Sequence, residues 1–412
     1  MANTIEVYAD WVGLNGPVLI GSLQMQSSQQ REVFSFTYDS NWLHSYAPIY
    51  QIDPDIQPFR GYQYQQPDKT GFGFFLDSCP DRWGRVLMQR REALLAKEEK
   101  RAMQKLQERE YLLGVDDASR MGALRYKLPE SSSFLAEHTA LATPPWTELR
   151  MLEHHTSLFE QNEETEGSWI HHLILPGSSL GGSRPKATVV DEKGNLWIAK
   201  FPSRHDTLNS GAWEMVIHDL AVKCGIDMPQ ARLETFSAGG DTFLSKRFDR
   251  SDGHERIHFA SAMTLTGKTD GQEASYLDLV ECIIQMGAQP DTDLKQLFKR
   301  ILFTIAVSNT DDHLRNHGFL LTPQGWKLSP AFDINPNPNG KALCLAIDEA
   351  DHSLDFRVAL AGAPFFRLSS KEATHMLDEI LTHVSSWRAV AKSYGMNSSA
   401  CAQAEGAFNL KL

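Results

Sequence analysis

Apolar and polar residues alternate through IEVYADWVG, PVLIGSLQM and EVFSFTYD, the two-residue period of half-buried strands. Clusters of Gly, Asn and Ser separate these runs, so residues 3–75 are expected to form a small antiparallel sheet. At DSCPDRWGRVLM the pattern turns helical. A long charged helix or helix pair is predicted from Arg82 to about Glu110, with the run Lys97–Arg101 on a solvated face. The Ser-, Thr-, Ala- and Pro-rich stretch PESSSFLAEHTALATPP, Pro129–Pro145, reads as a connection between units. A polar helix follows it and ends in the acidic EQNEETEG.

Strand signals return between Ser168 and Asp249. LILPGSSLGGSRPKATVVDEKGNLWIAKFPS reads as strand, Gly/Ser-rich turn, strand ATVVD, turn at Glu192–Asn195 and strand LWIAKF. The helix AWEMVIHDLAVKCG comes next, closed by Gly225, and two strands, ARLETFS and DTFLSKRFDR, complete the unit. Beyond Phe259 the chain is mainly helical. Leu294, Leu297, Phe298, Ile301, Leu302 and Ile305 recur at three- and four-residue steps, which marks a buried helix. There is no internal repeat.

Composition narrows the function. Forty Lys and Arg against fifty-two Asp and Glu leave a net charge of -12, which argues against a large nucleic-acid-binding surface. The five cysteines are scattered without a CxxC pair, so they read as reduced, mostly buried thiols rather than a zinc or redox motif. MANTIEVYADWVG lacks the regions of a signal peptide, and no stretch approaches the roughly 20 apolar residues of a membrane span. A cytoplasmic protein without membrane contact is expected.

The most informative segment is SNTDDHLRN, directly after the buried helix. Asp311, His313 and Asn316 form D-x-H-x-x-N, and Asp333 follows in AFDINP, beyond the hairpin-like GFLLTPQGWKLSP. Phosphoryl transfer needs a carboxylate to accept the proton of the attacking hydroxyl, and oxygen ligands to hold Mg²⁺ against nucleotide phosphates. Protein kinases use a loop Asp, an Asn five positions later and an Asp beyond a hairpin; here 316 minus 311 is five. One amide and one carboxylate suffice, because Mg²⁺ takes its other ligands from phosphate and water. Each fragment alone would read as a polar helix cap or a turn. Their order argues for the site.

Lys200 sits late in the apolar strand WIAKFPS, where an ammonium is costly to bury unless an anion pairs with it. Fourteen residues on, Glu214 lies in the next helix, matching the strand-Lys and helix-Glu arrangement of kinases. The turn PGSSLGGSRPKA, one strand earlier, offers Ser179, Gly181 and Gly182 to cover nucleotide phosphates. It does not match GxxxxGK[ST], since Ser183 stands where Lys is needed.

These segments (GSSLGGSRPKA, IAKFP, SKRFDR, NTDDHLRN and AFDINP, with DSCPDRWGRVLM near the N-terminus) resemble the HipA family of serine/threonine kinase toxins. The resemblance implies an α+β, protein-kinase-like two-lobed fold with an N-terminal β-rich subdomain. It implies domains at 1–130 (N-terminal, β-rich then helical), 131–249 (small lobe) and 250–412 (helical large lobe). It makes Asp311 the base, Asn316 and Asp333 the Mg²⁺ ligands, His313 a buttress of the loop and Lys200 the phosphate-holding lysine. SKRFDR becomes the hinge strand, with backbone groups of Lys246 and Phe248 reading the adenine of ATP. Family members autophosphorylate a serine of the Gly-rich loop; Ser179 matches best by position, Ser178 next. Family toxins phosphorylate aminoacyl-tRNA synthetases and are neutralised by a HipB-type DNA-binding antitoxin, so DNA would be met only through that partner.

Three rivals share parts of this pattern. A metallohydrolase would use His313 and His317 with Asp312 or Asp333 on zinc, but leaves Lys200 and the Gly-rich turn unexplained. A small-molecule kinase of the same fold would use the same machinery. A pseudokinase scaffold in a repressor complex would not need Lys200, Asp311, Asn316 and Asp333 together.

Overall fold

The computed structural model describes residues 4–28, 31–136, 143–161 and 184–411. The chain divides into two compact units, Met1–Arg204 with Lys246–Ala260, and His205–Ser245 with Ser261–Leu412. No helix among the described residues is long and apolar enough to cross a membrane.

In the first unit, strands β1 (Thr4–Ala9), β2 (Val18–Ser28), β3 (Arg31–Tyr38), β4 (Gln63–Tyr64) and β5 (Leu124–Lys127) form an antiparallel sheet in the order β4-β3-β2-β1-β5. The alternation read from the sequence is what buries one face: Ile5, Val7 and Ala9 of β1 point into the core, and their neighbours do not. Phe34, Phe36, Phe72, Phe74 and Phe75 fill the space beneath. Asp53 is buried among them and accepts the backbone N–H groups of Phe74 and Asp55, both at 2.8 Å. Burial outweighs those bonds and pushes its carboxyl up to about 7.

The charged segment is a helix pair, Arg82–Glu98 and Glu108–Gly114, linked by a bidentate Arg85–Glu108 bridge at 2.6 Å. The basic run does not continue as a helix face. The helix ends at Glu98, Lys100 takes φ 52, and Arg101 turns back onto Glu92 at 2.5 Å.

Strands β6 (Lys186–Val190) and β7 (Leu196–Lys200) pair antiparallel, with Lys186 opposite Lys200. Asp191 makes the turn, accepting from the backbone of Lys193 and Asn195 and from the indole of Trp197. Lys186 is buried, and its ammonium lies 2.8 Å from Asp81, the N-cap of the 82–98 helix. The indole of Trp83 donates to the Lys186 carbonyl at 3.0 Å. The DSCPDRWGR segment is thereby tied to the residues that follow the Gly-rich turn.

In the second unit, the helix Ser210–Lys223 is capped by Asn209 and stopped by Gly225 at φ 70, as expected. A Cβ on Gly211 would stand 2.0 Å from the Asp241 carbonyl, so only glycine lets this first turn pack against the β8–β9 hairpin (Ala231–Ser237, Gly240–Lys246). Asn209 also accepts the Asp241 N–H at 3.0 Å. Sequence pattern extends the last strand to Arg250, but the structure ends it at Lys246. Arg247, Asp249 and Arg250 instead turn inward within the first unit. The Asp249 carboxylate takes Arg247 at 2.6 Å, Arg250 at 2.7 Å and the Gly122 N–H at 2.8 Å. The three charges bond to one another and to the carbonyls of Ala118, Ser119 and Arg120, which satisfies them where they are buried.

After β10 (Phe259–Ser261) the second unit is mainly helical, with a hairpin, β11 (Gly318–Thr322) and β12 (Gly325–Leu328), inserted. The expected buried helix is Pro290–Ala306, opened by Pro290 and burying Leu294, Leu297, Phe298, Ile301, Leu302 and Ile305. Trp387 and Phe408 stack at 4.0 Å beneath Trp213 and close the core. All five cysteines are free thiols, and four are buried, leaving Cys344 exposed.

Candidate active site

The Pro290–Ala306 helix ends because Ser308 takes φ 48, a left-handed turn that lets the Asn309 N–H reach back to the Thr304 carbonyl at 3.0 Å. The chain leaves the helix there and runs through Thr310–His313 into a short 3-10 turn, Leu314–Asn316, anchored by buried Leu314. Asp311 is exposed, and among the described residues no hydrogen bond reaches its carboxylate; a base has to be accessible in this way. Asn316 is 6% exposed. Its amide Nδ2 donates to the Asp311 carbonyl at 3.2 Å, while its buried Oδ1 has no hydrogen-bond partner among the described residues.

A buried acceptor left without a donor costs free energy, so its retention calls for an explanation. A hard cation supplies one: Mg²⁺ binds amide and carboxylate oxygens. Asp333 is the companion oxygen donor read from the sequence. It adopts φ 58, uncommon for a residue with a Cβ, and accepts from Asn335 Nδ2 at 3.2 Å.

The β11–β12 hairpin carries the chain from Asn316 to Asp333, and side-chain bonds then lace the two segments together. The Asn335 N–H donates to Asn309 Oδ1 at 3.2 Å, Asn337 Nδ2 to Thr310 Oγ1 at 2.8 Å, and the Asn337 N–H to the Ser308 carbonyl at 3.2 Å. The NT before Asp311 and the NPN after Asp333 thus have a structural reason. They bring the acid beyond the hairpin to the loop that holds Asp311 and Asn316.

Asp312, beside the exposed Asp311, is buried and accepts from Tyr276 Oη at 2.5 Å and His317 Nε2 at 3.0 Å. Burial alone would raise its carboxyl; the charge of His317 and the two hydrogen bonds outweigh it and hold the group below the usual carboxylate range. Asp312 enters the expectations from sequence only in the zinc alternative, and Tyr276, Asn309, Thr310 and Asn337 do not enter them. The doubled acid in NTDDH was the available signal, since two neighbours in an extended loop point to opposite sides. His313 is half-buried, and its Nδ1 is buried without a hydrogen-bond partner among the described residues. Zinc would need His313, His317 and an acid together; among the described residues no three such side chains form a metal-holding group.

The remaining predicted residues divide between the units. Lys200, 9% exposed, lies at the end of β7 in the first unit, with Lys246 and Phe248. Glu214, buried in the 210–223 helix, belongs to the second, with Asp311, His313, Asn316 and Asp333. The side chains of Arg247 and Asp249 are taken up by their ion network. Ser178, Ser179, Gly181 and Gly182 lie outside the described residues.

A family model, the HipA-like C-terminal domain, matches residues 178–388. The chain belongs to this family. Two relatives align over parts of the chain. "Putative kinase Y4mE" of Sinorhizobium fredii is 31% identical over 148 residues, covering 33% of each protein. A "Putative kinase" of Haemophilus influenzae is 25% identical over 190 residues, 39% of this chain and 54% of that one. The chain thus spans one third and about half of the lengths of these two relatives. Among solved structures, HipA of Shewanella oneidensis MR-1, in a complex with HipB and operator DNA, superimposes with a TM-score of 0.65. It does so at 16% identity, over 97% of this chain and 94% of that one. The HipA fold, α+β with antiparallel sheets, is therefore the fold of this chain.

Proposed function

We propose that this chain is an ATP- and Mg²⁺-dependent serine/threonine protein kinase of the HipA toxin type. The observation that carries the reading is the Asn316 amide, whose nitrogen is held by the Asp311 carbonyl and whose buried oxygen has no hydrogen-bond partner among the described residues. Asn316 and Asp333 would hold Mg²⁺, which supplies charge neutralisation for the phosphates. Exposed Asp311 orients the hydroxyl of a protein serine and takes its proton. Lys200, backed by Glu214, holds ATP phosphates, and backbone groups of Lys246 and Phe248 hold the adenine. Ser179, Gly181 and Gly182 cover the phosphates, and His313 buttresses the loop. Ser179 or Ser178 takes the autophosphorylation, which adds nearly two negative charges to a segment meant to lie against phosphate. The boundaries 1–130, 131–249 and 250–412 are the domain division that accompanies this reading. An aminoacyl-tRNA synthetase is the proposed substrate. The Shewanella complex supports a HipB-type antitoxin as partner, with operator DNA met through it.

The test is transfer of labelled phosphate from ATP, with Mg²⁺, to the chain itself and to proteins of a cell extract. We expect Asp311→Asn to lower the rate by about 10²–10⁴-fold, and Asp333→Ala to abolish Mg²⁺-dependent transfer in protein that is still folded. Wild-type rates in the Asp311 variant would remove the assigned role. Label appearing only on small molecules of the extract would favour the small-molecule kinase.

A further inference from the structure

We propose that Tyr276, Asp312 and His317 form a brace that sets the separation between Asp311 and Asn316, making all three positioning residues for phosphoryl transfer. The inference rests on reading Asp311 as base and Asn316 as metal ligand. Asp312 directly follows the first of these, and His317 directly follows the second. Both turn inward, with 4% and 3% of their surfaces exposed, and meet at one atom: His317 Nε2 lies 3.0 Å from Asp312 Oδ2. The two ends of the loop are therefore joined one residue away from the two groups that do the chemistry.

Tyr276 fixes where that junction sits. Its hydroxyl donates to the same Oδ2 at 2.5 Å, and its ring stands edge-on to His317, 5.9 Å between centroids at 88°. The tyrosine is itself immobilised. It is fully buried, its N–H donates to the Ala346 carbonyl at 2.9 Å, and it opens a helix, Tyr276–Met286, capped reciprocally by Ser275 and Asp278. Without the brace, the loop is held on its own account by the Asn316 Nδ2–Asp311 carbonyl bond, the Asn316 N–H to the His313 carbonyl and the buried Leu314. A well-packed apolar side chain would serve a merely structural position at least as well as a buried carboxylate. A carboxylate receiving two donors from two segments specifies one arrangement of them, and it reaches Asn316 through the backbone of the adjoining His317, much as groups behind a metal site orient the residues that bind it.

The experiment compares Asp312→Asn, Tyr276→Phe and the double variant with the wild-type full chain. The readouts are kcat and KM for ATP, Mn²⁺ binding in the presence of ADP followed by electron paramagnetic resonance, and the melting temperature. The brace predicts that kcat and Mn²⁺ affinity fall by about 10–100-fold in each single variant, with KM for metal-bound ATP rising no more than the metal affinity falls. The double variant should be little worse than the worse single one, because one device is removed twice. Tyr276→Phe keeps the ring in its place and gives the answer even where Asp312→Asn folds poorly. Wild-type kcat and Mn²⁺ affinity in Tyr276→Phe would overturn the brace. So would a loss that disappears when each protein is assayed well below its own melting temperature, the mark of a stability effect. A wild-type chain that neither binds Mn²⁺ with ADP nor transfers phosphate would overturn the reading of the site, and the brace with it.

Discussion

Adjacent residues of the same type have opposite fates in this protein. Asp311 is exposed and Asp312 is buried under Tyr276 and His317, so one is fit to take a proton and the other to hold the loop. A similar contrast governs two titrating groups of the first unit. Burial pushes the Asp53 carboxyl up to about 7, and burial against Trp11 and Phe74 pulls His258 down to about 3. Their effects on stability oppose each other. Asp53 stays protonated in the folded chain while the unfolded chain ionises near 3.8, so its contribution is lost as pH rises towards 7. His258 stays neutral when folded while the unfolded ring protonates near 6.5, so its contribution is lost as pH falls from there towards 3. Between these limits each slope is about 1.4 kcal/mol per pH unit, with opposite sign. Asp53→Asn removes one of them. Its stability in urea is expected to fall more steeply than that of the wild type between pH 6.5 and 4.5, and equal slopes would refute the assignment.

Among the elements, the 82–98 helix shows how one side chain serves two ends. Asp81 accepts the Gly84 N–H at 2.8 Å as N-cap, and its other oxygen meets the buried Lys186 ammonium. Removing the cap costs about 0.5–2 kcal/mol, and leaving the ammonium buried without its carboxylate costs about 3–5 kcal/mol. Asp81→Ser retains the cap and isolates the second loss. We expect it to destabilise the chain strongly in urea, and Asp81→Ser with Lys186→Met to recover much of that loss. A double variant no more stable than Asp81→Ser would show that the pair is not what the helix end depends on. The strand that stops at Lys246 teaches the same lesson. Its apolar pattern was legible, but its end was decided by Asp249 meeting Gly122, 127 residues away in the chain.

For the molecule as a whole, ligand linkage offers a test that needs no turnover. A nucleotide that binds only the folded chain stabilises it by about 2.7 kcal/mol at one hundred times its Kd. ADP with Mg²⁺ is expected to raise the melting temperature of the wild type, and Lys200→Met and Asp333→Ala should each diminish the shift at the same concentration. A full shift in either variant would exclude that residue from nucleotide binding. Strand alternation, the apolar steps of the 290–306 helix, the Gly225 stop of the 210–223 helix and the five-residue spacing from Asp311 to Asn316 were all readable along the chain. Each depends on contacts or periods a few residues long, which local order records. Which of two neighbouring acids faces water was not readable. That depended on a tyrosine 36 residues earlier in the chain, whose hydroxyl takes one carboxylate inward and thereby leaves the other outside. The same holds for the asparagines that lace the Asp333 segment to Thr310, since a polar residue's partner is set by what packing brings near it, and spacing in the chain carries no record of that.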